Sequence, residues 1–131
     1  MSKVEVTIRY AVLNKNYDIV GQMENFVKVK VNNGLGGTSD FKTKIIPGDK
    51  DKPITWNETF SVPLKPNSGA MMEFSVMDED MTSDDVCGTG FFKLDRCGVF
   101  NYGASQKYSI RLIVGDKDEI AGTLHITTTF V

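Results

Sequence analysis

The sequence predicts an all-β fold, an eight-stranded antiparallel β-sandwich of Greek-key type. Three observations carry that expectation. Apolar and polar residues alternate at a period of two along most of the chain, the pattern of strands with one buried face. The alternating segments are rich in Val, Ile, Thr and aromatic residues, which suit a pleated surface. Clusters of Gly, Pro, Asn, Asp and Ser separate them at short, even intervals, as turns do in sandwiches and barrels. No stretch has the 3.6-residue periodicity of an amphipathic helix.

The first strand is expected at 3–12, where Val4, Val6, Ile8 and Tyr10 alternate with Glu5, Thr7 and Arg9. The second, at 26–32, alternates Val27, Val29 and Val31 with Lys28 and Lys30, and ends at Asn32-Asn33-Gly34. The third is expected at 41–46, before Pro47-Gly48-Asp49, and the fourth at 55–63, where Trp56, Phe60 and Val62 share a parity. Pro66-Asn67-Ser68-Gly69 separates it from the fifth, at 71–77, which carries Phe74 and Val76 on one face. The sixth is placed at 87–94. The seventh, at 106–114, alternates Tyr108, Ile110, Leu112 and Val114 with Ser109 and Arg111. The eighth, at 122–130, alternates Leu124, Ile126 and Phe130 with His125, Thr127 and Thr129. No linker, repeat or low-complexity segment interrupts the 131 residues, so residues 1–131 are expected to form one domain and act as a monomer.

Composition removes several function classes. Fifteen Lys and Arg against seventeen Asp and Glu give a net charge of −2, unlike the basic surface of a nucleic-acid binder. No apolar run approaches the roughly 20 residues of a bilayer span, and the N-terminal residues lack a signal-peptide core. A cytoplasmic protein is expected, with Cys87 and Cys97 as reduced thiols. His125 is the only histidine and falls on the polar face, so no Ser-His-Asp arrangement is available. An enzyme is not expected.

If successive strands alternate in direction, the connections at 13–25, 47–54, 78–86 and 115–121 fall at one end. Residues 78–85 hold five of the seventeen acids and no base, which leaves the other 123 residues at +3. Asp78 and Asp80 leave one face about 7 Å apart, and Asp84 or Asp85 can fold back toward them. Asp18 and Glu24 flank Gly21 in the first connection. Carboxylate oxygens without His or Cys suit a hard cation, and calcium accepts such irregular sets more readily than magnesium.

Three stretches resemble the C2 domain, a calcium- and phospholipid-binding module. Asp18 through Glu24-Asn25-Phe26-Val27-Lys28-Val29 is similar to its D…D-P-Y-V-K-V stretch. Trp56-Asn57-Glu58-Thr59-Phe60 resembles its W-N-E-x-F block, and Val76-Met77-Asp78-Glu79-Asp80 through Asp85-Val86-Cys87-Gly88 its V-x-D-x-D…D-F-I-G stretch. The resemblance implies an eight-stranded sandwich with calcium loops at one end, in the circular permutation whose termini lie at the other end. Carried over position by position, it implies calcium ligation by Asp18, Glu24, Asp78, Asp80 and Asp85. Three departures are visible: Glu24 stands for the usual Asp, Asn25 for the usual Pro, and the third loop is one residue shorter, so that Asp84 can replace Asp85.

Ile19, Val20 and Met81 are apolar where loop tips are usually polar, which points to membrane contact. Lys42 and Lys44 are expected on one face of the third strand, where the family often meets anionic head groups. Together these readings predict calcium-dependent binding to anionic phospholipid surfaces by a peripheral protein. The alternative is a calcium-independent module that uses the same fold to bind a protein partner.

Overall fold

A computed structural model describes residues 3–15, 22–32, 38–63, 69–79, 84–93 and 105–131. Among these residues the regular structure is all strand: β1 (Lys3–Leu13), β2 (Met23–Asn32), β3 (Thr38–Lys42), β4 (Ile46–Gly48), β5 (Ile54–Pro63), β6 (Met71–Asp78), β7 (Asp85–Lys93), β8 (Ser105–Val114) and β9 (Glu119–Phe130). The pairing order is β3-β2-β6-β7-β8-β9-β1-β5, with β4 also on β2. Every pair is antiparallel. The expected all-β antiparallel architecture is therefore present. β7 and β8 meet only at Thr89 and Ile113, so the path bends there into two layers, β3/β4-β2-β6-β7 and β8-β9-β1-β5.

The inward faces form one core. Val4, Val6 and Ile8 of β1, Phe74 and Val76 of β6, and Leu124 and Ile126 of β9 are buried together, as the alternation requires. Each large aliphatic or aromatic side chain removed from water contributes roughly 1.5–3 kcal/mol.

The expected third strand at 41–46 is two strands instead of one, which makes nine among the described residues. Thr43 is the cause. Its Oγ1 accepts the Val27 N–H at 2.8 Å, and its own N–H donates to the Val27 carbonyl at 3.0 Å. A side-chain oxygen thus replaces a main-chain carbonyl in the ladder, and one extra residue interrupts the strand between Lys42, paired with Lys28, and Ile46, paired with Asn25. β4 contains Pro47, which has no N–H to give and is tolerated there because β4 lies off the main pairing path.

The two ends of the path close against each other through the block Trp56-Asn57-Glu58-Thr59-Phe60. Trp56 Nε1 donates across the layers to the Asn25 carbonyl at 3.3 Å. Glu58 Oε2 accepts the Lys44 N–H at 2.8 Å. Phe60 stacks on Phe41 with centroids 4.4 Å apart. Asn57 between them has φ of 51°, a left-handed conformation that Asn tolerates better than most residues. It lies where the β1–β5 register shifts, between Ile8 paired with Glu58 and Tyr10 paired with Thr55.

The strand registers place four connections at one end. Asn14 N–H donates to the Ala121 carbonyl, Asp51 N–H to that of Leu13, and Glu79 N–H to that of Glu24. At the opposite end Lys3 and Val131 exchange main-chain hydrogen bonds. The described ends of the four connections expected to share an end do so.

Replacing Trp56 by Phe should leave the buried Asn25 carbonyl without its indole donor and thin the core beside it. A loss of about 1–3 kcal/mol is expected. Urea unfolding checks it, as a lower midpoint at unchanged slope.

Candidate functional site

The site at the connection end starts from one row across three strands. Asn25 of β2 pairs with Asp78 of β6, which pairs with Asp85 of β7. Asn25 is fully buried and Asp78 is 3% exposed. Both continue the inward parity of their strands, Asn25 after Met23 and Asp78 after Phe74 and Val76. Asp78 therefore stands at the mouth of the sandwich rather than on a solvated loop.

Its carboxylate has a structural partner. Asp78 Oδ1 accepts the Glu24 N–H at 2.9 Å. The adjacent Glu79 N–H returns to the Glu24 carbonyl at 2.9 Å. This reciprocal clamp joins the start of β2, where the first connection ends, to the end of β6, where the third begins. The Glu24 side chain itself is exposed.

Asn25 supports the clamp from within. Its Nδ2 donates to the Met77 carbonyl at 3.0 Å and lies 3.8 Å from the Cys87 sulfur. Its Oδ1 has no hydrogen-bond partner among the described residues and faces Gly48, where a β-carbon would come within 2.0 Å. The glycine in Pro47-Gly48-Asp49 is thus required by the asparagine opposite as much as by the turn. Sequence reasoning missed this role of Asn25. The signal was present, since one amide interrupts the inward series Met23, Val27, Val29 and Val31.

Cys87 reports the electrostatics of the mouth. Its thiol is pushed up to about 12, first by burial and then by the negative fields of Asp78 and Asp85. It is a buried, protonated thiol, and it is no ligand at neutral pH. Asp84 and Asp85, at the start of β7, are exposed. Among the described residues no three of His, Cys, Asp and Glu gather closely enough to hold a metal ion. Asp18 and Asp80, and with them Ile19, Val20 and Met81, lie outside the described residues. The donor chemistry at the mouth, carboxylate oxygens beside a protonated thiol, suits calcium and not a soft metal.

The lysines do not form the expected single strand face. β3 ends at Lys42, and Lys44 falls in the break between β3 and β4. Lys42 Nζ sits 4.3 Å from the centroid of the Phe26 ring and shields it from water. Lys42 pairs in register with Lys28, while Lys30 stands between Asp40 and Glu73. Phe26, Lys28, Lys42, Met77 and Asp84 line a shallow depression of about 290 Å³.

Comparison with known proteins agrees with this geometry. The family model described as "C2 domain" matches residues 2–112. Multiple C2 domain and transmembrane region protein 8 of Arabidopsis thaliana is 30% identical over 79 residues, 60% of this chain and 7% of the relative. The chain therefore spans a small part of that relative's length. The first of the C2 domains of plant Extended Synaptotagmin 1, domain A, superposes with a TM-score of 0.79 at 21% identity, over 98% of this chain and 93% of that one. The calcium-bound pair of C2 domains, A and B, of Extended-Synaptotagmin 2 gives a TM-score of 0.72 at 18% identity, over 98% and 45%.

The Asp78 clamp predicts a split between two substitutions. Asp78→Ala leaves the Glu24 N–H without its acceptor and should cost about 1–3 kcal/mol. Asp78→Asn retains an acceptor oxygen at nearly the same volume and should cost clearly less. Chemical denaturation of the two variants checks the order.

Proposed function

The chain belongs to the C2 domain family, and from that premise we propose that it binds anionic phospholipid membranes in a calcium-dependent manner. Residues 1–131 act in this proposal as one monomeric, peripheral, cytoplasmic module with no catalytic residues. The observation that carries it is the mouth of the sandwich, where a buried Asp78 joins the ends of two connections next to Asp84 and Asp85. The calcium-bound state of the similar Extended-Synaptotagmin 2 domains is in keeping with it.

Asp18, Glu24, Asp78, Asp80, Asp84 and Asp85 would hold the ion. When bound, calcium supplies positive charge and coordination positions for lipid phosphate or carboxylate oxygens. The chain supplies the rest. The Glu24–Asp78 clamp fixes the distance between the two acidic connections. The apolar tips Ile19, Val20 and Met81 enter the interface. Lys42 and Lys44 on the flank add short-range attraction to a leaflet whose surface potential is about −30 mV.

Gathered carboxylates repel one another, and only the folded chain gathers them. Calcium should therefore raise the melting temperature, by the equivalent of about 2.7 kcal/mol for one site at about a hundred times its dissociation constant. Calorimetry in calcium and in chelator checks this. Asp78→Asn combined with Asp80→Asn should abolish the difference while leaving the chelator curve nearly unchanged.

Co-sedimentation with phosphatidylserine vesicles tests the membrane step. Binding should need calcium, weaken as salt rises and weaken further in Ile19→Ala combined with Val20→Ala. Equal binding in calcium and chelator would overturn the calcium dependence. No binding in either would overturn the membrane reading.

A further inference from the structure

The outer face of the β8-β9-β1-β5 layer is unlike the outer face of the other layer. Its centre is a row across three strands: Ser109 of β8, His125 of β9 and Tyr10 of β1 occupy neighbouring register positions. Ser109 Oγ and His125 Nδ1 are 3.0 Å apart. The His125 and Tyr10 rings stack with centroids 4.3 Å apart and planes 17° from parallel. One residue of β1 is extra at this point, since Ile8 pairs with Ile126 and Tyr10 with His125. That bulge turns Arg9 and Tyr10 to the same side, and the Arg9 guanidinium sits 5.5 Å from the Tyr10 ring centroid. His125 feels Arg9, because its pKa is lowered first by burial and then by the Arg9 charge.

Two more cations flank the row. Lys107 and Arg111 lie on either side of Ser109 along β8, about 13 Å apart from the strand rise, and both are exposed. Their register partners on β9 are Thr127 and Thr123, which bring hydroxyls and no charge. Among the described residues none of Arg9, Lys107 and Arg111 makes an ion pair. The nearest carboxylate along β1 is Glu5, four residues from Arg9. On the other layer, by contrast, Lys30 is flanked in register by Asp40 and Glu73. The chain is net acidic, yet this flank carries three cations without an ion pair among the described residues.

The geometry points to a docking surface for an acidic peptide of a protein partner, centred on His125 and held by Arg9, Lys107 and Arg111. Charge complementarity selects an anionic occupant, and the strand spacing selects its form. Carboxylates two residues apart on an extended chain repeat about every 7 Å, which matches the spacing of outward positions 107, 109 and 111 on β8. Guanidinium groups pair with carboxylates through two parallel hydrogen bonds, so Arg9 and Arg111 are the anchoring contacts. Ser109, Thr123 and Thr127 supply neutral donors between them. The face lies along the flank of the sandwich, away from the mouth held by Asp78, so a partner can bind it whether or not the connection end is engaged.

Fluorescence anisotropy of the whole chain with a labelled peptide alternating Glu and Ser tests the proposal, with the same peptide bearing Gln for Glu as control. The acidic peptide should bind, and the Gln peptide should not. Arg9→Gln combined with Arg111→Gln should weaken binding about tenfold or more, with an unchanged melting curve because both side chains lie on an outer face. Lys28→Gln combined with Lys30→Gln should leave it within about twofold, since those residues lie on the other layer. Equal binding by the Arg variant, or a larger loss in the Lys variant, would overturn the proposal. So would retention of peptide binding with loss of phosphatidylserine vesicle binding in chelator by the Arg variant, because the flank would then be a lipid surface. The vesicle result in calcium, which depends on the connection end, is read separately.

Discussion

The arrangement of the connection end depends on one buried amide. Asn25 sits in an otherwise apolar inward row with no exposed surface. An amide in such a place is costly unless its polar atoms are satisfied. Its Nδ2 is held by the Met77 carbonyl and its main-chain carbonyl by the Trp56 indole, while its Oδ1 has no partner among the described residues. Those two bonds tie β2 to its neighbour β6 and to β5 of the facing layer. With Asn25 held, Glu24 must present its N–H to Asp78, and Gly48 must lack a side chain to admit the amide oxygen. Three strands and two connections are thereby placed by contacts within one side chain's reach.

Closure of the sandwich follows from the same neighbourhood. The pairing path has free edges at β3 and β5, and side-chain contacts instead of ladder bonds hold the two together. The alternation of β5 sends Trp56, Glu58 and Phe60 inward in succession. Each meets a different partner on the opposite layer: an acceptor, a donor and an aromatic ring. The block that resembles the family's W-N-E-x-F signature is therefore structural. Its contacts keep the two layers together so that the acidic connections share an end.

Charge is distributed by region rather than evenly. The mouth is negative enough for Asp78 and Asp85 to hold the Cys87 thiol protonated beyond the effect of burial. The β3-β2-β6-β7 flank mixes signs, with Lys30 between two carboxylates and Lys42 committed to Phe26. On the β8-β9-β1-β5 flank, Arg9, Lys107 and Arg111 face hydroxyls and rings instead of carboxylates. A net charge of −2 conceals three surfaces of different character.

The alternation along each segment already determined the strands, most of their inward faces and the end at which the acidic connections lie. Tyr10, expected on the face of Val4, Val6 and Ile8, lies on the outer face because of the β1 bulge. Side-chain period two is a local property, and short connections leave few ways to run the strands. The positions of the carboxylates in sequence likewise marked the connection end. Other features had no local signature. Thr43 divides the third strand because its hydroxyl meets Val27 N–H, an event between residues 16 apart. Asp78 reads as a loop carboxylate in sequence and is a buried acceptor in the fold, because β2 covers it. Ser109, His125 and Tyr10 are scattered along the chain, and a one-residue bulge in β1 brings Arg9 to them. Local patterning sets which face most residues take; only the pairing of distant strands decides where a bulge reverses that pattern and what each residue meets.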